Sequence, residues 1–469
     1  MSNKKDLLKD LRNGSELRFS EQIKLIIRLS IPAILAQLSS IVMQYIDAAM
    51  VGRLGATGSA AIGLVASSTW LLGGLCSAAS MGFTVLVAQS IGAGDNQKAR
   101  RVVKIGILCT VGFGLLLAIV GGFLSVPLPR WLKGSATIRE DATKYLMVYA
   151  LSLPAVSITR VAGGMIQASG NMKFPSIMHI VMCGLDVIYN ALLIFDTKDI
   201  SLWGVNITLP GVGLGVMGAA LGTALAEATI AVIMLTYLLF KSPVLKIRRG
   251  EKLTFEGGII SKAVKIAIPI GIEQVVMCGA QIVTTRIVSP LGDVAIAANS
   301  LSVTAESLCY MPCYGIGTAA TTLIGQSVGA GRKDMSRRLG YIVTGFGMIV
   351  MTIGGILMFI NAPLLIGILS PDSEIRELGT TILRIEAFAE PMYAASIVAA
   401  GVFHGAGDTM VPSIFSFVSM WAVRIPLSAI LASTMGLKGV WIAMCIELCV
   451  RGGLFLTRLK GKRWLRILK

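Results

Sequence analysis

Three polar side chains stand inside apolar stretches that should exclude them. Asp47 is the only charge between Arg28 and Arg53. At 1.5 Å per helical residue it lies about 9 Å inside the rim that Arg53 marks. Asp186 is about 20 Å along a helix from Lys173 and about 15 Å short of Asp196. So short a side chain cannot snorkel to water from there. Asn190 follows four residues later and shares its helical face. A charge within a bilayer costs at least ~2.5 kcal/mol on insertion scales, so its presence asks for a function. Carboxylates beside an amide oxygen can hold a hydrated proton or Na+.

Other buried polar groups are less specific. Glu273 is the only charge between Lys265 and Arg286. Glu227, Glu306, Glu390, Arg160, Arg286 and Arg424 lie within or near apolar runs. Arg424 is deep enough to need a partner, with Glu273, Glu306 and Glu390 as candidates. Each of these reads equally well as a structural pair or a transport residue. His179 and His404 read as hydrogen-bonded packing residues. Tyr45, Trp70, Met277, Tyr310 and Met311 could line a cleft, where soft side chains suit varied ligands, and Gln44 is a further candidate for substrate or coupling.

The elements that must position these groups are membrane helices. The 469 residues are 54% hydrophobic and only 14% charged, where a soluble chain carries about 25% charge. Apolar runs repeatedly exceed the ~20 residues that cross a bilayer as a helix. Because the runs are continuous rather than alternating, helices are favoured over a β-barrel. Twelve spans are expected, roughly 25–52, 59–90, 102–126, 143–168, 174–195, 213–240, 259–289, 294–328, 339–365, 378–404, 411–434 and 439–458. Met311-Pro312 with Gly315 and Gly317 are expected to bend the eighth.

The net charge of +17 would suggest nucleic acid in a soluble protein. Here the basic residues sit in short loops and at the termini, so retention on the cytosolic side explains them without nucleic acid. One set of loops holds Lys98, Arg100, Arg101 and Lys104, then Lys173, then Lys241 to Lys252, then Arg332, Lys333, Arg337 and Arg338. The charged N-terminal residues 1–24 and the tail with Lys460, Lys462 and Arg463 belong with them, which places both termini in the cytosol. Arg130, Lys133, Arg139 and Lys144 make one outer loop an exception. The eight cysteines are scattered through apolar runs and read as small buried hydrophobes rather than as disulfides or a metal site.

The chain is a duplication. Sliding Pro32–Arg101 by 237 positions lands it without a gap on Pro269–Arg338, with 20 identities in 70 positions. Pro154 then falls on Pro391, Gly170 on Gly407, and Pro175 on Pro412. Each copy holds six spans. An even number starts both copies on one side of the membrane, so the repeats are parallel and related by an axis along its normal. The expected units are an N-lobe at 25–240, a basic linker at 241–258, a C-lobe at 259–460 and a basic tail at 461–469. A cleft between two such bundles can open to either side in turn, which is alternating access. The charges break the symmetry: Asp47 faces Thr284 in the alignment, Asp186 faces Val423, and Glu273 faces Ala36. Two Gly-Ala-Gly segments, containing Gly92 and Gly94 and then Gly329 and Gly331, lack the Gly-Lys-Ser/Thr ending of a phosphate loop and are expected to be tight turns. No catalytic, zinc or nucleotide motif is visible, which argues against an enzyme and an ATP-driven pump.

Several segments together resemble the multidrug and toxic compound extrusion (MATE) family, nearer its DinF-like branch. They are Gln44-Tyr45-Ile46-Asp47 with Gly52, Leu54 and Gly55; Gln89–Gly94; their copies at Leu291-Gly292 and Gln326–Gly331; and Gly170/Pro175 with Gly407/Pro412. The resemblance covers about 25 to 460. It implies a V-shaped pair of six-helix lobes and an antiporter that exports organic, often cationic, compounds against H+ or Na+. Asp47 matches the acidic residue of the first helix. DinF-like members carry Asn, then Asp four residues on, in the fifth helix; here Asp186 comes first and Asn190 second. Thr223, in Gly218-Ala219-Ala220-Leu221-Gly222-Thr223, resembles that site's hydroxyl position. NorM-like members carry an acid eight residues past the seventh-helix proline, where this chain has Met277, with Glu273 one turn earlier. Their tenth-helix acid falls on Tyr393. An N-lobe site at Asp47, Asp186, Asn190 and Thr223 is therefore the expectation, with no cofactor beyond the coupling ion. A monomer in contact with membrane lipid suffices for this scheme. The rival readings are a flippase for a lipid-linked precursor, which predicts a lateral opening lined by Arg and Lys, and, more distantly, a channel or receptor.

Overall fold

The computed structural model describes residues 7–132, 134–202, 205–248 and 256–465. Residues 1–6, Lys133, Arg249 and Lys252 with the linker centre 249–255, and the tail 466–469 lie outside the described residues.

A short amphipathic α1 (Leu7–Arg12) precedes the first long helix, α2 (Phe19–Gly52). Then come α3 (Ala56–Gly92), α4 (Asn96–Leu124), the one-turn α5 (Pro127–Trp131), α6 (Ala136–Ala168), α7 (Lys173–Ile194) and α8 (Gly215–Thr236), which runs on as a π-turn to Lys241. The second copy comprises α9 (Gly257–Val288), α10 (Asp293–Gly329), α11 (Lys333–Leu369), α12 (Ser373–Glu386), α13 (Glu390–Ala406), α14 (Met410–Val418), α15 (Ile425–Met435) and α16 (Leu437–Lys460). A π-turn over Ser419–Arg424 joins α14 to α15 in one span.

Ten helices among the described residues are long and apolar enough to cross a bilayer, and α12 with α13 forms an eleventh, bent by 59°. The twelfth, α10, has 37 residues but is rich in Ser, Thr and Gly. It can be less apolar because it is wrapped by α2, α3, α11 and α13 rather than by lipid. Gly315 of α10 also serves a close helix contact. The helix runs on through Pro312, and Gly315 lets the backbone of Ala33 and Ile34 approach to about a Cβ's distance. A sharp bend, of 59°, falls in the tenth span around 387–389.

An antiparallel hairpin, β1 (Asp196–Leu202) with β2 (Val205–Val212), links α7 to α8. It adds a small strand pair to an otherwise helical chain. A short polar segment outside the bilayer can satisfy its backbone by pairing, so membrane-helix logic does not govern it.

The two copies exchange their leading helices. α2 packs against α10 and α9 against α3, contacts that the 237-residue shift interconverts. Leu25, Ile26 and Leu29 of α2 join the core of the second lobe, while Ile259, Ala263, Ile266 and Ile270 of α9 join the core of the first. Both exchanges occur at the end carrying the basic loops.

That end is locked by reciprocal contacts. Gln89 Nε2 donates to the Gly405 carbonyl at 3.1 Å, and Gln326 Nε2 donates to the Ala168 carbonyl at 2.7 Å. Gly92 lies against the Gln326 backbone, and Gly329 against that of Gln89, so close that a Cβ would fall 2.1 Å from either carbonyl oxygen. The Gly-Ala-Gly segments thus split their tasks. Gly94 (φ 76°) and Gly331 (φ 75°) make the expected turns. Gly92 and Gly329 instead serve the helix crossing.

Candidate cation site

In α7 the buried positions Met182, Asp186, Asn190 and Ile194 recur every fourth residue and form one stripe. The stripe meets the small residues of α8. A Cβ at Gly218 would lie 2.4 Å from the Leu193 carbonyl oxygen, and one at Gly222 would lie 2.1 Å from Asn190 Oδ1. Glycines four apart let the two backbones touch, as small residues do between membrane helices. Asp47 comes from α2, which packs along α7.

The three predicted polar groups meet. Asn190 Nδ2 donates to Asp47 Oδ1 and to Asp186 Oδ2, each at 3.0 Å. An amide nitrogen has two hydrogens, and here each has its own carboxylate. The Asp47 and Asp186 carboxyls face each other, and the Thr223 side chain faces Asp186. Asp186 and Asn190 are fully buried, whereas Asp47 remains partly accessible. Asp186 Oδ1 and Asn190 Oδ1 are buried without a hydrogen-bond partner among the described residues. The reversed order of Asp and Asn is therefore accommodated. The amide nitrogen crosslinks both carboxylates, and its oxygen lies against Gly222 of α8. A proton or a dehydrated cation would satisfy two acceptors of this kind.

Two participants were not read from the sequence. Tyr145 of α6 is near enough to interact electrostatically with both Asp47 and Asp186. Gly222 supplies the space that the Asn190 amide occupies. The glycine spacing was visible within the segment that flagged Thr223, but only the helix crossing gives it meaning.

The remaining candidates lie elsewhere. Tyr45 reaches across the lobes, donating its hydroxyl to the Thr304 carbonyl at 3.3 Å, while neighbouring Gln44 is exposed. Met277 is half-buried on α9. Glu273 accepts a hydrogen bond from Ser413 Oγ at 2.9 Å within the second lobe. Glu306 is buried there facing Arg424 and Arg451. The expected ion pair of Arg424 does not form within bonding distance among the described residues; its guanidinium contacts Met444 Sδ at 2.7 Å. The close pair is Arg451 with Glu447, at 3.0 Å and one helical turn apart. Glu386 and Glu390 flank the 59° bend and share this polar centre. Sequence spacing could not join these groups, because five separate helical elements contribute them.

The duplication has a counterpart in known proteins. The MatE family profile matches the chain twice, over 32–192 and 269–430, and the two starts differ by 269 − 32 = 237 residues. The chain belongs to the MatE family. It is accordingly a multi-pass membrane transporter and not an enzyme. This MatE chain is 27% identical over 448 residues to a probable multidrug resistance protein NorM of Thermotoga maritima, covering 94% of this chain and 93% of the relative. A protein of the same name from Deinococcus radiodurans is 26% identical over 461 residues, covering 94% and 97%. Among solved structures, a MOP superfamily transporter from Pyrococcus furiosus superposes with a TM-score of 0.87 at 18% identity, covering 98% of this chain and 99% of that one. That likeness establishes the shared fold of twelve helices in two bundles.

Proposed function

We propose that this MatE protein exports small organic cations across a bacterial plasma membrane in exchange for H+ or Na+. The reading takes both termini as cytosolic and a single chain as the working unit. Its two moving bodies are the lobes at 25–240 and 259–460. The observation that carries it is the Asn190 amide shared by Asp47 and Asp186, beside two buried acceptor oxygens that have no hydrogen-bond partner among the described residues. The NorM names of the relatives support the substrate class.

The coupling ion enters from the side opposite the basic loops and binds at Asp47, Asp186, Asn190 and Thr223. Its charge offsets the carboxylates, weakens their hold on a cationic substrate and favours opening toward the cytosol. Fresh substrate then displaces the ion. Coupling requires that each ligand bind the two lobe arrangements with different affinity. The contacts at the basic end belong to the arrangement closed toward the cytosol. A flippase would need a lateral opening lined by Arg and Lys, whereas carboxylates dominate this site.

Efflux of a fluorescent cationic dye from proteoliposomes, driven by a pH gradient or a Na+ gradient one at a time, tests the proposal. Asp47→Asn and Asp186→Asn should each abolish gradient-driven efflux. Wild-type efflux by both variants would sink the assignment.

A further inference from the structure

The second lobe carries a groove on its membrane-facing surface that the transport site does not use. It holds about 560 Å³ between α11, α12 and α16, and its apolar part is lined by Phe359, Phe388, Ile442, Cys445 and Ile446. A second depression of about 370 Å³ continues it along α12 and shares Thr381 and Arg384 with it. Arg376 and Glu377 line this polar extension. Phe388 is 72% exposed and Phe359 38%, so the apolar walls open toward lipid.

The arginines are unusual for such a surface. α12 turns Ile382, Leu383 and Glu386 inward and leaves Arg376 and Arg384 exposed. Arg384 lies about 16 Å along the helix from Ser373, and Arg376 about 12 Å nearer that end. Arg384 Nε donates to the Phe359 carbonyl at 3.3 Å, and its guanidinium stands 5.4 Å from that ring. Neither arginine has a carboxylate within ion-pair distance among the described residues, although Glu377 lines the same depression. Gly367 leaves room for Arg376, since a Cβ there would meet the guanidinium at 3.1 Å. Exposed arginines at headgroup depth attract an anion, and the anion available there is lipid phosphate.

We infer that this groove is a binding site for an amine-bearing phospholipid of the leaflet opposite the N-terminus. Its phosphate sits on Arg384 and Arg376, its amine faces Glu377, and one acyl chain lies along Phe359, Phe388 and Ile446. The charges match such a headgroup better than a purely anionic one, because only the amine offers Glu377 a positive partner. Phe388 stands at the bend between α12 and α13, so the lipid chain rests on the elbow of the tenth span.

Native mass spectrometry of the full-length, delipidated protein titrated with dioleoyl phosphatidylethanolamine reads the site. The wild type should retain one tightly held lipid. Arg376→Leu with Arg384→Leu should lower that singly bound fraction at least fivefold. Phosphatidylglycerol should be retained at least threefold less well than phosphatidylethanolamine. Cys445 lines the groove and supplies a second readout that needs no substitution. Phosphatidylethanolamine should slow its alkylation by a maleimide at least fivefold, measured by peptide mapping, whereas dioleoylglycerol, with the same chains and no phosphate, should not. Equal retention by the double variant, equal retention of phosphatidylglycerol, or equal protection by dioleoylglycerol would overturn the assignment.

Discussion

Replacing Gly222 by alanine isolates the geometry on which the cation site depends. The new Cβ would lie 2.1 Å from Asn190 Oδ1 and 2.9 Å from the Asn190 backbone nitrogen. Relief requires the amide to retreat by about 1 Å, which takes its 3.0 Å bonds to Asp47 and Asp186 beyond hydrogen-bonding range. A hydrogen bond to a charged group contributes ~1.5–3 kcal/mol. Losing two therefore costs ~3 kcal/mol or more in holding the carboxylates around an ion. At 1.4 kcal/mol per tenfold, that is about a 100-fold loss of affinity. Gly218→Ala is the matched control. It forces the same two helices apart, with its Cβ 2.4 Å from the Leu193 carbonyl oxygen, but one turn away from the amide. Both variants should lose thermal stability to a similar degree, since overpacking costs ~1–3 kcal/mol. The assay is the half-saturating H+ or Na+ concentration for dye efflux, normalised to folded protein in liposomes. A large rise for Gly222→Ala with a small one for Gly218→Ala is expected. Equal ion dependence in the two variants would show that the Asn190 bridge does not form the site.

Further outcomes follow from the other contacts. Gln89→Leu and Gln326→Leu each remove one bond between lobes, worth ~1 kcal/mol, and should raise the population open at the basic end about fivefold, read from distances between spin labels. Gly92→Val with Gly329→Val should prevent closure there and stop transport in a protein that still inserts, because neither carbonyl can yield to a side chain at 2.1 Å. Arg451→Leu leaves Glu447 buried without its partner and should destabilise the second lobe by ~3–5 kcal/mol, seen as a lowered melting temperature. Arg451→Leu with Glu447→Leu should recover much of that loss, since the desolvated charge is then gone.

The duplication links these expectations. A parallel repeat gives both lobes the same helix crossings, so a contact made once is made twice, as the reciprocal Gln89 and Gln326 bonds show. The functional charges do not obey the repeat. Thr284, the counterpart of Asp47, hydrogen-bonds within its own helix to the Ala280 carbonyl at 2.9 Å. Val423, the counterpart of Asp186, falls inside the π-turn of the eleventh span. The second lobe gathers its polar groups from α10, α12, α13 and α16 instead.

Much of this was decided by local chemistry alone. Apolar runs of bilayer length fix the helices, the basic loops mark one end, and the 237-residue repeat pairs the lobes, because each depends only on residue type and spacing. Asp186 and Asn190 share a face for the same reason, being one turn apart. Tertiary structure decided what spacing cannot carry. It brought Asp47 from a helix 143 residues away onto the Asn190 amide, set Gly222 against that amide, and gave Gly92 and Gly329 to the helix crossing rather than to the turns. It also left Arg424 facing Glu306 without a close ion pair among the described residues, and paired Arg451 with Glu447. Contacts between distant helices depend on crossing angle and axial offset, which many side chains set jointly and no single motif encodes.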